Sequence, residues 1–355
     1  MAYSTIDRPS NNFRIKLYTG NGSTQSITFD ESTAMQPDCT WIKVRNDTNV
    51  LLVHDVIRGA TKEIYTDLSN AEATDVNGLT AFNSNGFSVG SANGVNRNGY
   101  NCINWSWKAN GTGVSNTAGS ITSTVSANTT SGFSIVKYTG NATNGATVGH
   151  GLGAVPDMLI GKDLSDGSGW GIWHKNLSGA TYRLSFDTDA QSNDSALFGG
   201  SGAVLPTSTV FTLGSGGGLN GANANIVYCF TSIKGYSKFG SYTGNGSADG
   251  TFVYTGFKPS FVLFKRTDSA GYDWCIYDNK RDPYNVAQKE LYTNGLYAEG
   301  TATNNMDFLS NGFKPRRTSA GVNASGGTYI YMAFAENPFV SSKSIPTTAR
   351  WSGLY

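Results

Sequence analysis

Three passages of this chain run through the same landmarks in the same order, opening with Tyr18-Thr19-Gly20, Tyr138-Thr139-Gly140 and Tyr242-Thr243-Gly244. A proline follows each at a nearly constant offset (Pro37, Pro156, Pro259), and a lysine stands shortly after each proline (Lys43, Lys162, Lys265). The filling between proline and lysine is apolar: Thr40-Trp41-Ile42, Met158-Leu159-Ile160 and Phe261-Val262-Leu263-Phe264. Next come Leu51-Leu52-Val53-His54-Asp55, Trp170-Gly171-Ile172-Trp173-His174 and Trp274-Cys275-Ile276-Tyr277-Asp278. The closing apolar runs are Ile103 to Trp107, Ile226 to Phe230 and Ile330 to Phe334, with Ser-Asn-Gly-Phe preceding in the first copy (Ser84 to Phe87) and the third (Ser310 to Phe313). The middle copy lacks that tetrapeptide and carries a glycine run, Gly214 to Gly218. Self-similarity on this scale means one folding unit present three times, each copy long enough to be a domain with its own core.

The periodicity is that of strands. Short runs rich in Val, Ile, Tyr, Trp, Phe and Thr alternate with Gly, Asn, Asp and Ser clusters. Asn-Gly recurs at Asn21-Gly22, Asn77-Gly78, Asn85-Gly86, Asn93-Gly94, Asn294-Gly295 and Asn311-Gly312, the dipeptide suited to tight hairpins. With 44 glycines interspersed, long helices have little room, and only 286–291 and 72–75 read as a turn of helix. The expected fold is all-β: three tandem β-sandwich domains of the jelly-roll kind, with the Tyr-Thr-Gly strand beside the final aromatic strand in one sheet. The expected layout is a first sandwich and its lead over 1–111, a Ser/Thr/Gly-rich linker over 112–132, further sandwiches over 133–235 and 236–340, and a C-terminal arm over 341–355 that includes Arg350 and Trp351.

Charged residues make up only 14% of the chain and the formal net charge is +1, so no electrostatic footprint for nucleic acid or an anionic membrane is present. No apolar stretch reaches the length of a membrane-spanning helix, and Met1 to Pro9 lacks the apolar core of a secretory signal. Cys39, Cys102, Cys229 and Cys275 occupy non-equivalent places in the copies, which reads as buried reduced thiols rather than a disulfide framework.

Candidate chemistry is sparse. His54, His150 and His174 have no second ligand at metal spacing, and no cofactor motif is present. Asp187, Asp189 and Asn193 alternate as in a calcium loop, but the glycine and distal glutamate of such a loop are missing, so a polar turn is preferred. Asp55 and Asp278 are equivalent, and Arg58 and Arg281 follow each at the same distance. Recurrence in two copies indicates a structural Asp–Arg pair closing a turn, not the paired carboxylates of a glycan-cutting enzyme. Trp170, Trp173, Trp274 and Tyr277 are the candidates for stacking sugar rings, core packing being the competing reading.

The Met1-Ala2-Tyr3-Ser4-Thr5-Ile6-Asp7-Arg8-Pro9-Ser10 opening resembles that of virion structural proteins of tailed phages. So do the Tyr-Thr-Gly-Asn-Gly-Ser blocks, Glu336-Asn337-Pro338-Phe339 and Thr347-Thr348-Ala349-Arg350. The resemblance covers essentially the whole chain and carries no catalytic residues. It implies a non-enzymatic component of the particle exterior, a tail fibre or tail-associated adhesin that binds a host-surface glycan. It also implies other virion proteins as partners, and a homo-oligomer with a trimer among the candidates. A capsid decoration or head-fibre protein is the alternative, and a glycan depolymerase a further one.

Overall fold

The computed structural model describes residues 4–165 and 167–347. In each copy the Tyr-Thr-Gly strand pairs antiparallel with the closing aromatic strand: Phe13–Thr19 with Asn101–Trp107, Phe133–Thr139 with Ala224–Phe230, and Ser237–Thr243 with Thr328–Pro338. The strand after the proline lies on the far side of the closing strand and pairs in turn with the next one, in the same order each time. In the first copy these are Cys39–Val44 and Leu51–Asp55, in the second Met158–Asp163 and Gly171–His174, and in the third Phe257–Arg266 and Cys275–Asp278. The protein is all-β, a second layer of strands covering one face of each four-stranded core. Gln25–Thr28, Gly86–Val89 and Leu79–Asn83 form that layer in the first copy, and Thr147–Gly149 with Val210–Thr212 forms it in the second. In the third copy one sheet of eight strands curls round to supply both layers.

Each Tyr-Thr-Gly turn is held by the same device. The tyrosine hydroxyl donates to the carbonyl of Val95, Leu219 or Val322. The residue after that carbonyl is a buried asparagine, Asn96, Asn220 or Asn323, whose Oδ1 accepts from the backbone N–H of Asn21, Asn141 or Asn245 at 2.9, 3.0 and 2.9 Å. The Nδ2 group spans to loop carbonyls, for Asn323 those of Ser247 (2.7 Å) and the Asn245 side chain (2.9 Å). The turn glycine is required by close approach. A Cβ on Gly20, Gly140 or Gly244 would stand 2.2, 2.0 and 2.2 Å from the carbonyl oxygen of Arg97, Gly221 or Ala324. The glycine run of the middle copy is thus the approach to Gly218-Leu219-Asn220, the counterpart of Gly94-Val95-Asn96 and Gly321-Val322-Asn323.

The expected sandwich in each copy is present with its own apolar layer, and the other sheet faces add a feature the repeat did not announce. Each copy has its own apolar layer between its sheets, but the opposite faces of all three main sheets meet in one common core. At its centre the equivalent residues Trp107, Phe230 and Phe334 form a triangle with ring centroids 6.3, 6.2 and 5.8 Å apart. Phe186, contributed by the middle copy alone, touches rings of all three copies: Trp170 at 5.2 Å, Trp274 at 5.4 Å and Trp41 at 5.9 Å. Such strands are buried on both faces, which is why Trp41-Ile42, Met158-Leu159-Ile160 and 261–264 place apolar residues at consecutive positions, and why even Lys43, Lys162 and Lys265 are buried.

The three lysines close this arrangement into a ring. Lys43 donates to the Asn49 carbonyl (2.7 Å) and, across to the third copy, to that of Gly295 (2.9 Å). Lys162 donates to the carbonyl of Ser168 and, across to the first copy, to that of Ser69 (3.2 Å). Lys265 donates to the Tyr272 carbonyl (2.5 Å) and feels the charges of Asp187 and Asp189 in the second copy. Each lysine therefore secures its own loop and faces a loop of a different neighbour.

Other expectations give way locally. The 112–132 segment is no linker: Val114–Asn116 and Ser123–Asn128 form a hairpin that extends the second copy's main sheet. The stretches read as helical turns contain the strands Ala287–Tyr292 and Ala73–Thr74, because each finds an antiparallel partner. Short helices occur instead at Asn93–Asn96 and Ala320–Asn323, immediately around the clamping asparagines. All four cysteines are buried free thiols. Of the C-terminal arm, Ser342 bonds through its backbone N–H (2.7 Å) and hydroxyl (2.5 Å) to Asp7, while Arg350 and Trp351 lie outside the described residues.

Candidate functional site

The aromatic residues singled out for sugar stacking are interior. Trp170 and Trp274 point into the common core, their indole N–H groups donating to the carbonyls of Tyr65 and Ser185 at 2.8 and 2.7 Å. Trp173 lies in the second copy's own core. Tyr277 lies in that of the third, its hydroxyl donating to Glu290 at 2.7 Å. With relative exposures of 0 to 3%, none offers a ring face to a ligand. Strand alternation accounts for this: even positions of 274–277 enter the common core and odd positions the local one.

The two Asp–Arg pairs are turn closures. Arg58 Nε donates to Asp55 Oδ2 at 2.5 Å and Arg281 Nε to Asp278 Oδ2 at 2.6 Å, all four side chains being fully buried. The other carboxylate oxygen accepts backbone N–H groups of the turn, from Arg58 and Arg281 among others, at 2.9 Å in both copies. In the middle copy His174 does this work, its Nδ1 accepting the Asn176 N–H at 3.1 Å. Burial, aided by the charge of Lys175, pushes the His174 pKa down to about 3. Burial and the Arg58 charge do the same to His54. Both imidazoles are neutral at ordinary pH. The pairs also tie copies together: Tyr228 of the second copy donates to Asp55 at 2.7 Å, and Glu299 of the third bridges Arg281 (3.2 Å) to Arg45 of the first (2.7 Å). Burial alone would raise the Glu299 carboxyl, but the arginines outweigh it and hold the pKa below its ordinary value.

Asp187 and Asp189 do not assemble a calcium site with Asn193. Asp187 Oδ1 accepts the Asp189 N–H at 3.0 Å in a polar turn, and Asn193 sits in the short strand Ser192–Asn193 paired with Tyr182–Arg183. Among the described residues no group of three or more His, Cys, Asp or Glu is placed to hold a metal ion. No helix among them is long and apolar enough to cross a membrane.

Among the accessible grooves are three at the seams where one copy's turn meets the next copy's first strand. The three seams are cyclically equivalent and each carries a surface groove. Between the third and first copies, Asn279 and Lys280 face Arg14 and Ile15 across 310 Å³, where Arg14 is buried and faces Glu31 at 3.5 Å. Between the first and second, Ile57 faces Lys137 and Tyr138 across 360 Å³, with Ser115, Ser123 and Thr124 of the added hairpin along one wall. Between the second and third, Lys175 and Asn176 face 238–242 across 470 Å³, within the range of small-ligand sites. The last is distinguished by two exposed rings, Phe252 (45%) and Tyr254 (49%), flanking buried Val253. Lys238 lies beneath them, its Nζ 2.7 Å from the Tyr254 carbonyl oxygen and 5.1 Å from the Tyr254 ring centroid. Sequence reasoning passed over these rings, although Phe252-Val253-Tyr254 between Thr251 and Thr255 carries the out-in-out alternation that would have flagged them.

The three β-units thus close into a ring around one common core, and one of the seams between them bears two exposed rings. The chain belongs to the family described as a domain of unknown function, DUF7483, whose match runs over residues 8–338 and so takes all three copies as one domain. No curated protein and no solved structure matches it.

Proposed function

We propose that the protein is a non-enzymatic structural component of a bacteriophage particle, a tail fibre or tail-associated adhesin that binds a host-surface glycan. The observation that carries this reading is the groove between the second and third copies, with Phe252 and Tyr254 exposed above polar walls. An aromatic face beside hydrogen-bonding groups complements the apolar face and hydroxyl rim of a sugar ring. The sequence resemblance to phage virion proteins supports the location, and other virion proteins are the partners it implies. Three copies in a ring supply inside one chain the threefold bundle that separate fibre subunits would otherwise have to assemble. The non-enzymatic reading is supported by the state of the candidate carboxylates: Asp55 and Asp278 are saturated by arginine and backbone donors.

Binding of purified protein to host envelope polysaccharide, lost on Phe252→Ala or Tyr254→Ala with no change in melting temperature, is the expected result. Retention of full binding in both variants would sink the assignment to this groove, and release of oligosaccharide during incubation would overturn the non-enzymatic reading. The ring of three similar copies also favours a second location, a capsid decoration or head fibre seated on a local threefold position. Electron micrographs of antibody-labelled particles separate the two, by label at the tail or over the head.

A further inference from the structure

We infer that the groove between the second and third copies is selective for acidic polysaccharide, stacking a sugar ring on Phe252 and Tyr254 and holding its carboxylate or sulfate between Lys175 and Lys238. This rests on the glycan-binding reading and names the class of glycan.

The argument is one of charge and its compensation. The walls of this groove carry Lys175 and Lys238 and no aspartate or glutamate. Several cations elsewhere on the protein face a carboxylate directly: Arg14 with Glu31, Arg45 with Glu299, Arg183 with Asp194, Arg316 with Asp307. Lys238 instead spends one of its three N–H donors on the neutral Tyr254 carbonyl and is partly desolvated by the protein around it. That desolvation, with the charge of Lys175 added, lowers its pKa, a state that an incoming anion relieves. Lys175 has Asp157 Oδ1 at 3.0 Å, while Ser232 occupies the other carboxylate oxygen, and the lysine side chain, 39% exposed on the groove wall, keeps donors for a second anion. The equivalent seams lack the combination. One has its arginine buried opposite a glutamate, and in the other Lys137 is the only charged wall residue. A neutral glycan would use the rings and leave the two lysines of the groove wall without an anion from the ligand. An acidic one neutralises the pair while its ring stacks, which couples the cation and aromatic contributions in a single ligand.

The test is calorimetric titration of the full-length protein with three probes: an oligogalacturonate carrying carboxylates, a carrageenan oligosaccharide carrying sulfates, and neutral maltohexaose. At least one acidic probe is expected to bind at least about tenfold more tightly than maltohexaose, with affinity falling as salt is raised. The acidic probe that binds identifies which anion the lysines accept. The Lys175→Gln/Lys238→Gln double variant is expected to reduce that affinity to the neutral level with an unchanged melting temperature. The Phe252→Ala variant is expected to weaken all probes. Equal binding of maltohexaose, or undiminished binding of the acidic probes by the double variant, overturns the acidic selectivity while leaving the glycan reading intact. Failure of both acidic probes to bind also overturns it. The glycan reading falls separately, if host envelope polysaccharide binds equally well to Phe252→Ala and Tyr254→Ala.

Discussion

Removing one ring from the centre of the common core discriminates a shared interior from three independent ones. Phe334 is 1% exposed and meets Phe13 at 4.8 Å, Tyr236 at 5.6 Å, Trp107 at 5.8 Å, Phe239 at 6.1 Å and both Phe230 and Phe261 at 6.2 Å, so its neighbours come from all three copies. Rings held by so many fixed neighbours collapse poorly into a cavity, and Phe334→Ala is expected to cost about 4 kcal/mol, within the usual Phe→Ala range. The consequence for melting depends on what unfolds together. If the chain melts as one unit, an unfolding entropy of about 2.1 cal/mol/K per residue gives about 0.75 kcal/mol/K, and the melting temperature falls by about 5 °C. If the third copy melts alone, the same loss is spread over less than a third of the chain, and its transition falls by about 18 °C while the others stay in place. Scanning calorimetry reads the difference directly. A single endotherm shifted by a few degrees, with calorimetric and van't Hoff enthalpies in agreement, is expected. A split endotherm, one component moved far and the remainder unmoved, would refute the common core.

Three further perturbations follow from positions repeated across the copies. Ala142 holds φ at 56° where the other copies place Gly22 (66°) and Gly246 (68°), so Ala142→Gly is expected to stabilise by about 1 kcal/mol, checked by urea denaturation. Asn323→Ala removes the clamp on the third Tyr-Thr-Gly turn and strands the Asn245 N–H and the Ser247 carbonyl. A loss of about 2–3 kcal/mol in the same assay is expected, and a loss below half a unit would show the clamp to be dispensable. His54 and His174 titrate near 3 in the fold and near 6.5 unfolded, so between those values the unfolded chain binds the extra protons and stability falls as pH falls. Each histidine withdraws about 1.4 kcal/mol per pH unit in that window. The variant His174→Asn, which keeps an acceptor for the Asn176 N–H, is expected to melt with a shallower pH dependence below pH 6.5, and superimposable pH profiles would contradict the assignment.

The triplication, the strand character and the adjacency of the Tyr-Thr-Gly and closing strands were all legible, because alternation and Gly/Asn punctuation are local properties of a sheet. The Asp55–Arg58 and Asp278–Arg281 turns were legible for the same reason: both partners lie within one turn and recur. How the copies pack was not, since a repeat states that a unit recurs and is silent on which of its faces meet. The hint lay in the strands themselves, where Cys39–Val44 and Met158–Asp163 show no polar face and therefore need cover on both sides. Lys43, Lys162 and Lys265 were visible as landmarks, yet their partners are backbone carbonyls, for Lys43 and Lys162 of distant loops as well as their own, which no side-chain pattern can announce. The clamping asparagines could have been found from the thrice-repeated glycine–aliphatic–asparagine triplet. Trp170, Trp173, Trp274 and Tyr277 drew the sugar-stacking expectation because large aromatics are chemically apt for it. Only burial separates an apt ring from an available one, and that is a property of the packed ring of copies.

The central triangle of Trp107, Phe230 and Phe334 bears on why the three copies share one chain. A solitary copy would leave one whole sheet face, with its large ring, open to water. Covering that face requires two more such units, and one chain supplies all three at fixed stoichiometry. Because they share a chain they need not be identical: the second copy carries an added hairpin and the third a pair of exposed rings around the same centre.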